Sequence, residues 1–309
     1  MRTRRQRMWV WAAAALVAAG LPLCGCGGGG DEGVPGGGPG TGIVVVRVTD
    51  VAGALLAGAT VTVRQQSAVT GSDGIAVLTG VPAGATTVSA ALAGYVTGVE
   101  PIVVVGGSSF TLSFPLERAG ATVTIPTTAT TPQPVTDQRA DGLNATVFLQ
   151  PSNFVTTAGQ PVQGPVQVSV TTFPITDAGA DAIPGLNLGI APGATAPEPL
   201  TTYGAVSISA TDAAGNPVDL DLAQTVMIVV PMAANVDPGL PTLGVWLLDP
   251  NTGFNTEVGT ATRDASVTPV VYRAQLTGLR SRGRPPLPFQ YSWVTFRLAK
   301  RTRPTAHWQ

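Results

Sequence analysis

The chain has 309 residues, of which 44% are hydrophobic and only 11% charged, against about 25% charged in an ordinary soluble domain. Its 38 Gly and 27 Pro make up about a fifth of the residues, a density that excludes a mainly helical protein. Two Cys and one His exclude a multi-cysteine zinc site, a disulfide framework of several bridges and most histidine-dependent catalysis. Arg outnumbers Lys 16 to 1, which reads as GC-rich coding bias rather than chemistry.

Residues 1–25 read as an export signal. Four Arg lie within Met1–Arg7, and Met8–Leu23 is almost wholly apolar. That run falls short of the roughly 20 residues a membrane-spanning helix needs. It closes on Leu23-Cys24-Gly25-Cys26, which resembles the bacterial lipobox: a Leu three positions before the acceptor Cys, a small residue just before it, and a thiol that takes the diacylglycerol. Cys26 fits better than Cys24, which follows Leu23 and Pro22. With Cys26 as lipid acceptor, Cys24 leaves with the signal and the exported chain keeps no free thiol. Thr3-Arg4-Arg5 resembles a twin-arginine signal, but Arg7 stands where that motif wants an apolar residue. Gly27 in place of an Asp after the acceptor favours the outer membrane of the envelope.

Residues 26–41 form a tether. Ten of residues 27–42 are Gly, too little apolar surface to order such a segment. A flexible stretch of this length reaches about 22 Å. Gly28-Gly29-Gly30-Asp31-Glu32-Gly33 matches the spacing of a nucleotide-binding fingerprint, but no strand precedes it and no helix follows, so the match is compositional.

From Ile43 onward the period is two. Val61 and Val63 alternate with Thr60 and Thr62; Phe110, Leu112, Phe114 and Leu116 alternate with Thr111, Ser113 and Pro115. Val166, Val168 and Val170, then Val206 and Ile208, repeat the pattern. Such alternation predicts strands buried on one face. Turn signals recur at Ala52-Gly53, Ser72-Asp73-Gly74, Pro82-Ala83-Gly84, Asn216-Pro217 and Asn251-Thr252-Gly253. The fold class predicted is all-β, with two successive β-sandwich modules.

Residues 42–118 carry a first strand to Asp50, then Gly53, Gly58-Ala59-Thr60-Val61, Thr70-Gly71-Ser72-Asp73-Gly74, Val81-Pro82-Ala83-Gly84 and Gly94-Tyr95. This series resembles the carboxypeptidase regulatory-like domain, and the resemblance implies a seven-stranded prealbumin-like sandwich without catalytic residues. Leu55-Leu56 and Ala76 depart from the family's pattern. Residues 119–279 carry Ala182-Ile183-Pro184-Gly185, Tyr203-Gly204-Ala205, Leu243-Gly244-Val245-Trp246 and Gly253-Phe254. They resemble the β-sandwich region of cartilage intermediate layer proteins, which implies a larger, immunoglobulin-like sandwich; Phe254 stands where that family has a second Trp.

Residues 280–309 look foreign to the rest. Between Cys26 and Leu279 stand 6 Arg and all 18 acidic residues, whereas Arg280, Arg282, Arg284, Arg297, Lys300, Arg301 and Arg303 follow with no acid. His307, the only Lys, Trp293 and Trp308 lie there too. Two readings stand: a frameshifted gene end, or a genuine basic, Pro-rich tail that contacts an anionic polymer.

The chemistry points away from catalysis. A serine nucleophile needs a general base, and no His precedes His307. Asp219 and Asp221 share a strand face; with Asp212 they are weighed as a Ca²⁺ site, as a carboxylate pair for acid–base work, or as a solvated face beside an acidic turn. Asp177 and Asp181 lie in a Gly/Ala-rich loop. No cofactor or metal is expected, and the acidic body argues against nucleic acid. The expectation is a non-enzymatic envelope protein, moored to the membrane by its lipid, that binds a surface protein or polysaccharide in a structural or adhesive role. The alternative is a carbohydrate-binding module with Tyr95 as its only aromatic platform. Replacing the acceptor thiol, Cys26→Ser, is expected to abolish incorporation of radiolabelled fatty acid; undiminished label contradicts the anchor.

Overall fold

The computed structural model describes residues 40–221, 224–277 and 293–301. The signal, Cys24, Cys26, residues 26–39 of the tether, Arg280, Arg282, Arg284, Arg303, His307 and Trp308 lie outside the described residues. Among the described residues no helix is long and apolar enough to cross a membrane.

The first module has seven strands: β1 (Thr41–Asp50), β2 (Thr60–Val63), β3 (Gln66–Val69), β4 (Ile75–Pro82), β5 (Gly84–Ala91), β6 (Gly98–Val104) and β7 (Ser109–Leu116). They form two sheets, ordered β4-β1-β7 and β3-β2-β5-β6, with β1 parallel to β7. The alternation is realised as predicted: Val44, Val46 and Val48 turn inward beside Val61, Val63, Val88, Phe114 and Leu116, while Arg47 and Thr111 face out. The Ser72-Asp73-Gly74 turn requires its glycine. Gly74 has φ +67°, and a Cβ there would sit 2.7 Å from the Val48 carbonyl oxygen.

The second module follows as β8 (Thr122–Ile125), β9 (Gln133–Thr136), β10 (Thr146–Leu149), β11 (Phe154–Thr156), β12 (Val166–Phe173), α1 (Asp177–Asp181), β13 (Leu188–Ile190) and β14 (Glu198–Thr211). Then come β15 (Val218–Leu220), β16 (Val226–Pro231), β17 (Thr242–Leu248), β18 (Asn255–Asp264), β19 (Val271–Leu276) and β20 (Trp293–Arg301). One sheet runs β8-β12-β14-β20-β17-β18-β19-β16-β10-β9, with β13 bridging β14 and β18; β11 and β15 pair separately. This sheet folds back on itself, so it supplies both layers where a two-sheet immunoglobulin-like arrangement was expected. Val135, Val147, Val170, Ile208, Val245, Tyr272 and Leu298 meet in its core. A void of about 10 Å³ there, lined by Val206, Ile228 and Val245 among others, has room for one water at most.

Side chains, not a strand ladder, draw the two ends of this sheet together. The Thr172 amide donates to Asp137 Oδ2 at 2.7 Å, and the Ala145 amide to Thr172 Oγ1 at 2.9 Å. Both bonds are buried, so each removes a polar group that would otherwise be stranded.

Two sequence expectations are corrected. The module does not end at Leu279, because residues 293–301 form β20, in the middle of the sheet between β14 and β17. Residues 293–301 pair with β14 and residues 296–299 also with β17, and Thr295, Arg297, Leu298 and Ala299 are buried. The second correction concerns β14, which is buried on both faces. Opposite Val206 and Ile208, the residues Ala205 and Ser207 are covered as fully as the core; Ala182 and Ile183 and, from the first module, Val96 pack with Ala205. Asp137→Ala is expected to lower unfolding free energy by about 2 kcal/mol in urea denaturation, the cost of stranding the Thr172 amide; a loss below about 0.5 kcal/mol contradicts the clasp.

Candidate functional site

The covered face of the second sheet is where this chain concentrates its buried polar groups. Strand pairing sets Phe173 beside Ala205, Ala205 beside Arg297, and Arg297 beside Trp246, in one row across β12, β14, β20 and β17. Small residues at Ala205 and Ser207 leave room above the row, and the loop 182–188 fills it.

Arg297 is fully buried. Its Nη2 donates to the carbonyl oxygens of Ile183 (3.2 Å), Pro184 (2.7 Å) and Gly185; its Nη1 donates to Asn187 Oδ1 and to Thr202 Oγ1 (3.4 Å). Asn255, equally buried, donates from Nδ2 to the carbonyls of Leu186 and Leu188, both at 3.0 Å. Two side chains thus hold five of the six backbone carbonyls from 183 to 188. The loop has little choice of path. Gly185 has φ +77°, and a Cβ there would come within 2.4 Å of Leu248. A Cβ at Gly189 would meet the Trp246 ring at 2.6 Å.

The upper side of the loop seats the first module. The Gly185 amide donates to the Val99 carbonyl of β6. Val99 packs on Leu248, Val96 on Phe173, Ile183 and Ala205, and Pro101 on Gly253, where a Cβ would lie 2.5 Å away. Glu100, between Val99 and Pro101, therefore sits at the seam. Burial pushes its carboxyl up to about 7, with Asp181 adding to the rise and Arg297 opposing it. Desolvation lowers the Arg297 guanidinium from its ordinary value, and Glu100 pulls it back.

A second contact flanks the connection between modules. Glu117 is buried, which raises its carboxyl; the Arg139 guanidinium, 3.9 Å away, opposes the rise. Arg139 also donates to the Thr172 carbonyl at 3.1 Å and pairs with Asp141 at 3.1 Å. Gly120 is bound in both directions: its amide donates to Thr171 Oγ1 at 2.9 Å, and its carbonyl accepts from Ser169 Oγ at 2.7 Å. The connection between modules is built in, not loose.

The residues singled out from sequence are placed as follows. Asp212 spends its carboxylate on its own turn, accepting from the amides of Ala214 (2.9 Å) and Asn216 (2.8 Å). Asp219 is buried on β15 opposite Val155. Its Oδ1 has no hydrogen-bond partner, and desolvation pushes the carboxyl up to about 6. The Asp221 amide donates to the Asn153 carbonyl. Among the described residues, no three His, Cys, Asp or Glu side chains gather as a metal site, so Asp212, Asp219 and Asp221 are not brought together as ligands. Tyr95 packs against the first core, and the Arg118 guanidinium lies 5.3 Å from its ring centroid. Its half-buried ring is thus partly engaged by the protein itself. Asp181 closes α1 at the seam; the side chain of Asp177 is outside the described set. Sequence reading missed Arg297, Asn255 and Glu100 as a group, although the period-two pattern of 293–299 was available to place Arg297 on a strand.

Residues 43–117 match the carboxypeptidase regulatory-like domain. No curated protein matches the chain. Among solved structures, the Bacillus anthracis TIE protein is 14% identical with a TM-score of 0.24; the match covers 77% of this chain but 44% of that one. A candidate carbohydrate-binding protein of Bacteroides uniformis is 9% identical with a TM-score of 0.22, covering 76% of this chain and 98% of that one.

Arg297→Met is expected to destabilise the chain by about 3–5 kcal/mol, because the carbonyls of 183–185 lose their donor in a dry environment. Arg297→Lys is expected to recover only part of this. A loss below about 1 kcal/mol for the Met variant, by urea denaturation, contradicts the clasp.

Proposed function

We propose that this chain is a non-enzymatic, lipid-anchored protein of the bacterial cell envelope, and that its two sandwiches act together as a structural or adhesive binding unit. The observation that carries this reading is the use made of buried polar groups. The Arg297 and Asn255 side chains face inward onto backbone carbonyls of one loop and hold one module on the other. They do not converge on an open pocket where a substrate could sit. Seven strands in the first module and the long sheet of the second offer edges and loops to a partner, the parts of a sandwich that recognise other chains. Mooring by Cys26 and outer-membrane placement rest on the Leu23-Cys24-Gly25-Cys26 sequence and Gly27.

The carbohydrate reading needs an aromatic face free to stack on a sugar. Tyr95, the residue that would supply it in the first module, is engaged by Arg118 and the core. The test is a glycan array run beside affinity capture from envelope extract with the full chain. Capture of an envelope protein or cell-wall polymer, with no glycan signal that depends on Tyr95, is the expected result. Glycan binding that Tyr95→Ala abolishes would overturn it in favour of a carbohydrate-binding module.

A further inference from the structure

We propose that the pole of the first module where the tether joins it is a membrane-docking surface: Val103 and Val105 enter the border of the acyl chains, and Arg64 meets phosphate headgroups. This deepens the envelope reading and rests on the lipid at Cys26, which brings the bilayer within reach.

One end of the sandwich is gathered around the start of β1. The Ala83 amide donates to the Gly40 carbonyl at 2.9 Å, the Gly107 amide to the Thr41 carbonyl at 2.8 Å, and the Ile43 amide to the Ser108 carbonyl at 2.9 Å. A Cβ at Gly42 would lie 2.7 Å from the Val105 carbonyl oxygen. The β2–β3 turn belongs to the same end. Arg64 Nη2 donates to the Ala85 carbonyl at 3.3 Å, and Gln66 Nε2 to the Gly80 carbonyl at 3.2 Å. Three turns and the first residues of β1 thus form one pole.

The pole is apolar and has a charge of its own sign. Residues 40–43, 64–66, 82–85 and 103–109 include one ionisable side chain, Arg64. The four acids of the module stand elsewhere. Asp50 and Glu117 lie at the far ends of the parallel strands β1 and β7, where Asp50 registers with Leu116. Asp73 is in the turn beside Val48, whose amide donates to the Gly74 carbonyl at 2.8 Å, and Glu100 is at the seam. Arg64 has φ +55°, a conformation easier for glycine, so the turn keeps a cation at a conformational cost.

Val103 is 63% exposed and Val105 59%, and Pro82, Ala83 and Ala85 beside them are exposed too. The second module seats on the other half of β6, through Val99 and Pro101. Two residues further along the same face, Val103 is already clear of it. Apolar side chains beside a guanidinium suit a phospholipid surface, where the chains take the first and the phosphates the second. Residues 27–39 lie between the acceptor thiol and this pole, and a Gly-rich stretch of that length reaches about 20 Å. A weak contact then suffices, because the tether makes docking intramolecular.

The test uses the full, acylated chain in vesicles of phosphatidylethanolamine and phosphatidylglycerol. A nitroxide is placed at Val103→Cys, at Val105→Cys or, at the far pole, at Ser72→Cys. All three sites are exposed in the protein itself. The ratio of collisions with oxygen to collisions with a water-soluble nickel chelate is expected to be about fivefold higher at 103 and 105 than at 72. Arg64→Glu, which sets an acid against the phosphates, is expected to lower that ratio at 103 and 105 by about threefold. Equal ratios at all three sites in chains that float with the vesicles overturn the docking and leave the anchor standing; chains that fail to float overturn both. Shielding that vanishes when chains are diluted below one per vesicle overturns it in favour of a second copy. An Arg64→Glu chain that matches the parent overturns it as well.

Discussion

The guanidinium of Arg297 sets the conditions for the rest of this structure. A buried Arg does not shed its charge at physiological pH, and every donor it leaves without an acceptor costs stability. The chain meets those of Nη1 and Nη2, turning three consecutive carbonyls, those of 183–185, onto Nη2, while Nε is buried without a partner. That choice fixes the course of the loop, and with it the direction of the Gly185 amide that receives β6. The position of the first module thus follows from a residue on β20, near the other end of the chain.

The same constraint explains several residue choices that look featureless alone. Ala205 is small where Ala182 and Ile183 pack on it, and Ser207 and Thr295, side by side on neighbouring strands, are buried and small. Gly185 and Gly189 are bare because Leu248 and Trp246 occupy the space a Cβ would need. Asn255 completes the work of Arg297 by taking the carbonyls of Leu186 and Leu188. These buried polar groups are consumed in holding the two sandwiches together. Val69, Val77 and Val103 are exposed on strands of the first module.

Much of this was legible in the sequence. Period-two alternation located Val61 and Val63, Phe114 and Leu116, and Val166 to Val170 on the correct inner faces, because one-sided burial writes itself into neighbouring residues. The turn at Ser72-Asp73-Gly74 was equally plain, since a positive φ needs glycine there. What escaped reading depended on distance along the chain. Arg297 and the carbonyls of 183–185 are separated by more than 100 residues, and no local pattern links them. Charge contrast with the acidic body made 280–309 look like an appendage, although Val294, Phe296 and Leu298 alternate as a strand should. Glu100 carries no signal at all, being one acid in the run Val99-Glu100-Pro101. Tyr95 stood at a predicted turn, where an exposed ring was expected; only the fold shows that Arg118 reaches it.

The central claim is that the Arg297 clasp makes the two sandwiches one cooperative body. Differential scanning calorimetry of the full chain tests it most directly. One transition, with equal calorimetric and van't Hoff enthalpies, is the result this account requires. Two separated transitions, one for each sandwich, would contradict it.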